Sequence, residues 1–227
     1  MKFKYLKISL FLLMAAATVS LNSCGRTKTK KNKDEAVPST EKVMLFNGKD
    51  LSNWTFFLKD PSMDAAEVFT VKDGVIHIKG DPFGYMRTVE VFDNYALHVE
   101  WRYPAEATNS GVFIHAQQPD TIWPECIEIQ LKAGDAGDFL CMGGSDMNER
   151  TDKSTRVVAK LAESAEKPVG EWNIMEIVCI SDNIDVTLND VLMNRASGVN
   201  PGQGHICLQS EGRAIEFRNV YLTRLEE

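Results

Sequence analysis

Short stretches in which apolar and polar residues alternate recur along the chain from position 43 to its end. A period of two residues is typical of strands that bury one face, and turn signals such as Asp73-Gly74 separate the stretches. Residues 157–166 are the one segment with a helical appearance, and Val157-Val158 argues against a helix there. We therefore expect an all-β fold, a sandwich of two antiparallel sheets. Clear examples of the alternation are "VFTVKDGVIHIKG", "YALHVEWRY", "GVFIHAQ", "CIEIQLK", "NIMEIVCI" and "AIEFRNVYLTRL".

The first 23 residues have the pattern of a secretory signal peptide. Lysines precede an apolar run from Ile8 to Val19, which is too short to span the ~30 Å hydrocarbon core of a membrane. The run leads into Leu21-Asn22-Ser23-Cys24, which resembles the lipobox of bacterial lipoproteins, where the cysteine is lipidated. We expect lipidation of Cys24 and export to the cell envelope, with the lipid as the membrane contact. The alternative is an ordinary signal peptide in which Cys24 is incidental.

Composition divides the remaining chain into a tether and a body. Residues 24–42 are rich in Lys, Thr and Ser and nearly free of apolar residues, which predicts a flexible tether. Residues 43–227 have a length suited to one domain. Nine of the 25 basic residues but only three of the 32 acidic residues lie in the first 42 positions, so the body is strongly acidic. Such a surface repels phosphates, and we expect no nucleic-acid partner.

Four cysteines lie in the body, at wide spacings that match no small disulfide framework and no CxxC metal site. They are Cys126, Cys141, Cys179 and Cys207. Most fall inside predicted strands, where a free thiol acts as a small apolar filler. A single bridge between Cys126 and Cys141 remains the alternative.

Several predicted strands carry a polar face opposite an apolar one. On the strand around position 128, Ile127, Ile129 and Leu131 alternate with the polar series, and Glu125 points away from Glu128 because the two are three residues apart. The outward residues are suited to binding sugar hydroxyls and to proton transfer. This favours a functional face over an ordinary solvent-exposed surface. They comprise His98, Glu100, Arg102, Phe113, His115, Gln117, Cys126, Glu128, Gln130, Lys132, Gln209, Glu216 and Arg218.

A family resemblance rests on a series of motifs in fixed order, which covers nearly the whole body. They are "LFNGKDLSNW", "VFTVKDGVIHIKG", "YALHVEWRY", "NSGVFIHA", "CIEIQLK", "GEWNIMEIVC", "VTLNDVLMN" and "GHICLQSEGRAIEFRNVYLTRL". In this order they resemble the 3-keto-disaccharide hydrolase domain family. The resemblance implies a concanavalin A-like jelly-roll sandwich with a carbohydrate site on its concave sheet. It also implies action on glycosides whose C3 hydroxyl has been oxidised to a ketone. This chain has His115 where the family often has Arg.

The strand "CIEIQ" distinguishes this chemistry from ordinary glycoside hydrolysis, which needs two carboxylates flanking the bond. Its outward face reads Cys126, Glu128, Gln130, with one acid where a pair is required. A 3-keto sugar needs less, since the ketone acidifies the C2 proton and allows elimination of the C1 leaving group, after which water adds to the enone. A base, an acid and a group that stabilises the enolate suffice.

Roles follow for the residues of the polar faces. Glu128 or His115 would act as base and acid, and Arg218, or a divalent cation held by Glu128 and Glu100, would stabilise the enolate. The substrate-binding candidates are Glu100, Asn109, Phe113, Trp123, Gln130, Lys132 and Gln209, of which Trp123 and Phe113 would stack on a sugar.

Two other functions fit the same sequence. One is a sugar-binding lipoprotein that uses the polar face without catalysis. The other is a conventional β-glucanase, which would need a second acid such as Asp135 or Asp138 from the irregular region 133–170.

Overall fold

The computed structural model describes residues 42–226. The predicted signal peptide, the lipidation site Cys24 and all of the predicted tether except Lys42 lie outside these residues. Over the described range, no helix combines the length and apolar character needed to cross a membrane.

The described residues fold into two antiparallel sheets, named here sheet A and sheet B. Sheet A has the order β13-β12-β11-β6-β15-β4-β3, with β1 also paired to β15. Its strands are β1 (Lys42–Met44), β3 (Phe69–Lys72), β4 (Val75–Ile78), β6 (Tyr95–Arg102), β11 (Asn173–Ile180), β12 (Asn183–Leu188), β13 (Val191–Ala196) and β15 (Ile215–Arg224). Sheet B has the order β10-β9-β8-β7-β14-β5-β2. Its strands are β2 (Trp54–Leu58), β5 (Gly84–Thr88), β7 (Gly111–Ala116), β8 (Cys126–Gln130), β9 (Phe139–Met142), β10 (Val157–Val158) and β14 (His205–Ser210).

This arrangement confirms the predicted all-β sandwich. The hairpin between β3 and β4 turns at Asp73 and Gly74, which both adopt the positive φ that such a tight turn requires. Residues 157–166 contain strand β10 and no helix, and the helical content of the described chain is one 3₁₀ turn, Ala65–Glu67. The irregular region 133–170 supplies β9 and β10, which form one edge of sheet B.

The main core lies between the sheets and is built from the apolar side of each strand. Leu97, Val99 and Trp101 of β6 pack there with Ile127 and Ile129 of β8, as the alternation predicts. A second, smaller cluster is formed by residues that point the other way from sheet B. It contains Tyr85, Phe113, Ala116, Cys126, Leu140, Met142 and Cys207. The outer face of sheet B is therefore covered over part of its area.

The four cysteines of the described chain are all buried and unbridged. This agrees with the interpretation as apolar fillers and rules out the alternative Cys126–Cys141 bridge in this structure. Burial raises the pKa of the thiols of Cys126, Cys179 and Cys207, which keeps them protonated.

Candidate active site

Glu128 projects from the centre of sheet B on the face that points away from the core. Its neighbours in register are Phe113 on β7 and Leu140 on β9. The residue is only 2% exposed, so a carboxylate stands almost completely out of water. Burial strongly disfavours the charged form of an acid, so an acid in this position lowers the stability of the fold. Buried acids of this kind are therefore candidates for a catalytic role.

Gly111 makes room for this carboxylate. A Cβ built on Gly111 would lie 2.5 Å from Glu128 Oε1, far inside van der Waals contact. Gly111 of β7 pairs with Gln130 of β8, two residues beyond Glu128. The side chain of Glu128 therefore extends along β8 towards Gln130 and lies over the glycine. The carboxylate of Glu128 therefore fits in this position because residue 111 has no side chain.

Two further charged groups act on Glu128. Burial raises the pKa of the Glu128 carboxyl to about 8; the neighbouring Glu211 adds to the rise, and Arg156 opposes it. Burial also raises the pKa of Glu211, again with Arg156 opposing. Burial therefore favours the protonated form of both acids, and the cation Arg156 opposes that effect at both. Such a pair can both remove and return protons.

Unpaired amides lie beside these acids. Gln209, the second last residue of β14, is fully buried, and neither of its amide atoms makes a hydrogen bond of normal geometry, although the amide lies close enough to Glu211 to offset part of the rise in that pKa. The Oδ1 atom of Asn109 is also buried without a partner, and Asn109 lies against Gly212, the residue after Glu211. Unsatisfied buried polar groups are rare in folded proteins, and a cluster of them beside a perturbed acid marks a site that a polar ligand would complete.

An aromatic platform stands next to Glu211. The rings of Trp123 and Phe83 lie 4.6 Å apart with a tilt of 55°, and the indole is 43% exposed. Together with Glu211 and Arg213 they line a cavity of about 550 Å³. This volume lies within the roughly 300–1,000 Å³ that is usual for small-molecule sites, and exposed aromatic rings of this kind suit the apolar face of a sugar.

The loop that carries Trp123 is clamped onto sheet B. Arg87 of β5 grips Asp120 with two hydrogen bonds, Nε to Oδ1 at 2.8 Å and Nη2 to Oδ2 at 3.1 Å. The hydroxyl of Tyr85 donates to the Asp120 carboxylate at 3.2 Å and lies 3.1 Å from the carbonyl of Thr121. A bidentate arginine–carboxylate pair fixes orientation as well as distance, so the clamp holds the indole in place.

The arginine above the site is Arg156, which follows the long segment after β9. Its Nη1 lies 3.5 Å from the sulfur of Met142, and its guanidinium stands 5.4 Å from the ring of Trp123. Within residues 42–226 it makes no ion pair with a carboxylate. A cation held over an aromatic ring and beside two acids is available to a negatively charged ligand or intermediate.

Two predicted site residues lie on the wrong sheet. Arg218 and Glu100 pair with each other at 2.6 Å on the outer face of sheet A, where Arg218 also stacks over Trp172. The main core separates them from Glu128, so neither can share a substrate with it. The alternation correctly predicts that they point outward, but it does not say from which sheet.

The predicted cation site fails for the same reason. Glu128 and Glu100 face away from each other on opposite sides of the sandwich and cannot hold one ion. Nor do the residues of the described range assemble three or more His, Cys, Asp or Glu side chains in a position to hold a metal.

His115 also departs from its predicted orientation. It has φ +54°, and the pairing of β7 with β14 shifts register there, which marks a β-bulge. The bulge interrupts the alternation and turns the ring against Tyr95, a residue of the main core, at 6.0 Å between ring centres. Its Nδ1 lies 2.9 Å from the carbonyl of Pro201, and burial lowers the pKa of the ring. The placement of His115 beside Glu128 is therefore wrong.

The other candidates divide between the site and its surroundings. Phe113 is fully buried under the outer face of sheet B, so the prediction that it stacks on a sugar is wrong. Lys132 turns aside to Asp135 at 2.7 Å. Gln130 uses its Oε1 to accept from the backbone N–H groups of Leu131 and Lys132, which leaves its amide nitrogen for a ligand. Gln209 and Asn109 lie next to Glu211 and Gly212, and Trp123 lines the cavity that Glu211 also lines.

Sequence reasoning missed Glu211, Arg156, Arg87 and Asp120. Glu211 follows β14 directly, and continued alternation from Gln209 would have placed it on the same face. Arg156 carried no such signal, since its position depends on how the segment after β9 returns to sheet B.

Solved structures with a similar fold include hydrolases and a carbohydrate-binding module. One is a proposed glycosyl hydrolase from Parabacteroides distasonis, 20% identical, with 82% of this chain and 94% of that chain covered and a TM-score of 0.62. Another is the carbohydrate-binding module CBM66 from Bacillus subtilis, 10% identical, with 74% and 93% covered and a TM-score of 0.55. A third is a Bacillus licheniformis β-glucanase, 11% identical, with 81% and 97% covered and a TM-score of 0.55. These likenesses confirm the predicted jelly-roll sandwich, the fold of glycosidases and carbohydrate-binding modules.

A search of curated proteins finds no match to the chain. The sequence profile of the 3-keto-alpha-glucoside-1,2-lyase-like domain matches residues 41–223, which is nearly the whole of the sandwich. On that match, the protein belongs to the family of 3-keto-alpha-glucoside-1,2-lyase-like domains.

Proposed function

We propose that the protein cleaves glycosides whose C3 hydroxyl has been oxidised to a ketone, by elimination across C1 and C2 followed by addition of water. The observation that carries this proposal is the buried, single acid of strand β8. Glu128 has a pKa raised to about 8 and stands between Cys126 and Gln130, with no second acid on its strand. A base whose pKa lies near the working pH is suited to removing an activated C–H proton.

The groups around Glu128 supply the remaining needs of an elimination. In its ionised form Glu128 takes the C2 proton, and negative charge develops on the C3 oxygen. The guanidinium of Arg156, which opposes the pKa rises of both acids, would stabilise that charge. The unpaired amides of Gln209 and Asn109 offer hydrogen bonds to sugar oxygens, and Trp123 offers a face for a ring.

Ordinary hydrolysis of an unmodified glycoside is less well supported. A retaining or inverting glycosidase needs two carboxylates that flank the scissile bond, and sandwich glucanases would supply them from one strand face. Strand β8 carries Glu128 alone. The candidates for a second glucanase acid are engaged elsewhere, Asp135 with Lys132 and Asp138 with the backbone N–H of Lys160 at 2.8 Å.

The test is to incubate the protein with matched intact and 3-keto disaccharides, to follow products by mass spectrometry, and to measure binding of both by calorimetry. The proposal predicts that only the 3-keto substrate is cleaved. Binding without turnover would establish a sugar-binding protein instead, and cleavage of the intact disaccharide would establish a conventional glycosidase.

We also propose that the protein acts from the cell envelope, anchored by a lipid on Cys24. The support is the sequence "LNSC" at the end of the apolar run. Metabolic labelling with an alkyne fatty acid should mark the native chain in the membrane fraction and leave a Cys24→Ala variant unmarked. Equal labelling of both would refute the anchor.

A further inference from the structure

Glu211 lies both near the buried Glu128 and at the wall of the cavity beside Trp123. It directly follows β14, which pairs with β7 next to Gly111 through Leu208 and Val112, and it lines the cavity that Trp123 and Phe83 bound. In agreement with this position, its charge helps to raise the pKa of Glu128. Glu128 lies deeper, over Gly111, and is not part of the cavity lining. Glu211 is therefore placed at the boundary between the buried base and an open, aromatic-walled space.

An elimination across C1 and C2 needs proton transfer at two neighbouring places. The base acts at C2, the acid acts on the glycosidic oxygen attached to C1, and the leaving group extends beyond that oxygen. With the sugar that reacts seated over Glu128, a leaving group that extends towards Trp123 carries its oxygen past Glu211. Trp123 is held in position for such a ring by the Arg87–Asp120 clamp.

We propose that Glu211 is the acid that protonates the departing glycosidic oxygen, and that the cavity beside it receives the leaving group. This inference rests on the proposed elimination at Glu128 and adds the second proton-transfer group. The ligand class of the cavity is a ring-shaped alcohol, such as a second sugar, because two aromatic rings line its wall and polar side chains of both charges surround them.

Every proton that Glu128 and Glu211 take up or release is returned within one catalytic cycle. Glu128 takes the C2 proton, the C2–H electron pair forms the second bond of a C2=C3 double bond, and the π pair of the C3 carbonyl moves to the oxygen of the enolate. When the ketone re-forms, the pair moves to a C1–C2 double bond, the C1–O bond breaks, and the leaving oxygen takes the proton of Glu211. In the hydration step Glu211 takes a proton from the water that adds to C1, and Glu128 returns its proton to C2. Both acids end as they began.

The experiment compares two 3-keto-glucosides that differ only in their leaving group. One leaves as 4-nitrophenolate, which needs no proton, and the other leaves as glucose, which does. For the native protein and the nearly isosteric Glu211→Gln variant, kcat/KM is measured on both, and Glu211→Ala repeats the comparison. Glu100→Gln on sheet A is the matched control. The ratio of the two values within one variant does not depend on how much of the sample is folded.

We expect Glu211→Gln to lose at least about 100-fold on the glucosyl substrate while it keeps activity on the nitrophenyl substrate within about three-fold. Glu211→Ala should show the same selectivity, and Glu100→Gln should leave both activities unchanged. An equal loss on both substrates, or no loss on either, would overturn the role of Glu211 alone. If the native protein turned over neither substrate, the proposed elimination itself would fail, and this inference with it.

Discussion

The carboxylate of Glu128 occupies the space that a side chain on Gly111 would fill, with only 2.5 Å between Oε1 and the position of a Cβ on the glycine. Gly111 has no positive φ, so an alanine fits its backbone and the clash falls on the flexible Glu128 side chain. The glycine is therefore required for the position of the base and not for the strand itself.

Gly111→Ala should consequently damage activity more than stability. A displacement of a reacting group by about 1 Å can cost 100-fold in rate, and we expect a loss of roughly that size in kcat. The free energy of unfolding should change by no more than about 1 kcal/mol. Urea unfolding and steady-state kinetics on a 3-keto disaccharide check both. Gly202→Ala, where a Cβ meets only an ordinary contact of 3.8 Å, is the control and should change neither.

Burial of Glu128 should also make the free energy of unfolding depend on pH. The folded pKa of Glu128, about 8, lies above the ordinary value of 4.5, so the folded protein holds a proton that the unfolded chain releases. Stability is then greatest below the ordinary pKa and falls as pH rises towards 8. Glu128→Gln removes this loss, and relative to the native protein it should gain about 2–4 kcal/mol between about pH 5 and pH 8.5, at 1.36 kcal/mol per pKa unit.

Glu100→Gln is the control of opposite sign for this measurement. Burial acts to raise the pKa of Glu100, but hydrogen bonds from Asn219 and Arg218 outweigh it, so the pKa is lowered. Its stabilising contribution is present above the ordinary pKa and is lost as pH falls, so the variant should be less stable than the native protein at neutral pH. Parallel pH profiles for both variants would contradict the assignment of the two environments.

Arg156 and Arg218 form a matched pair, since each stands over a tryptophan but on opposite sheets. Arg156→Ala should lower kcat on a 3-keto substrate by about 100-fold, the usual effect of removing a group that stabilises an oxyanion. Arg218→Ala should stay within about three-fold and lose no more than about 1 kcal/mol of stability with its partly exposed ion pair. Equal losses would mean that the outer face of sheet A takes part in function after all.

The Asp120 clamp should affect binding rather than chemistry. Asp120→Asn weakens the bidentate pair with Arg87, and the loop that carries Trp123 then samples more positions. We expect KM for a 3-keto disaccharide to rise by about five- to twenty-fold while kcat stays within about three-fold, because the clamp is remote from the reacting atoms. Asp185→Asn, which breaks an exposed pair with Arg195 on sheet A, should leave both constants unchanged. A fall in kcat alone would contradict this role.

Alternation along single strands predicted much of this molecule, and its failures have physical causes. It assigned the faces of β6 and β8 correctly because both strands are regular. It failed at His115, where one extra residue in β7 turns the ring towards the core. It also assigned Arg218 and Glu128 to one site, although they lie on different sheets. The pattern within a strand contains no information about which sheet the strand joins.

Residues placed by loops were beyond the reach of such reasoning. Arg156 reaches the site only because the segment after β9 folds back along sheet B, where the carbonyl of Arg156 accepts from the N–H of Cys141. Asp120 reaches Arg87 through a tertiary contact across 33 positions of the chain. Contacts of this kind depend on the packed fold, which local periodicity does not describe.

Removal of the C2 proton by Glu128 is tested most directly with a 3-keto-glucoside that carries deuterium at C2. The native protein should show a primary isotope effect on cleavage or release the deuterium to water. Glu128→Gln should lower both cleavage and deuterium release by at least about 100-fold, while Glu100→Gln retains them. Full cleavage by Glu128→Gln, or cleavage by the native protein with the deuterium kept at C2 throughout, would contradict the account.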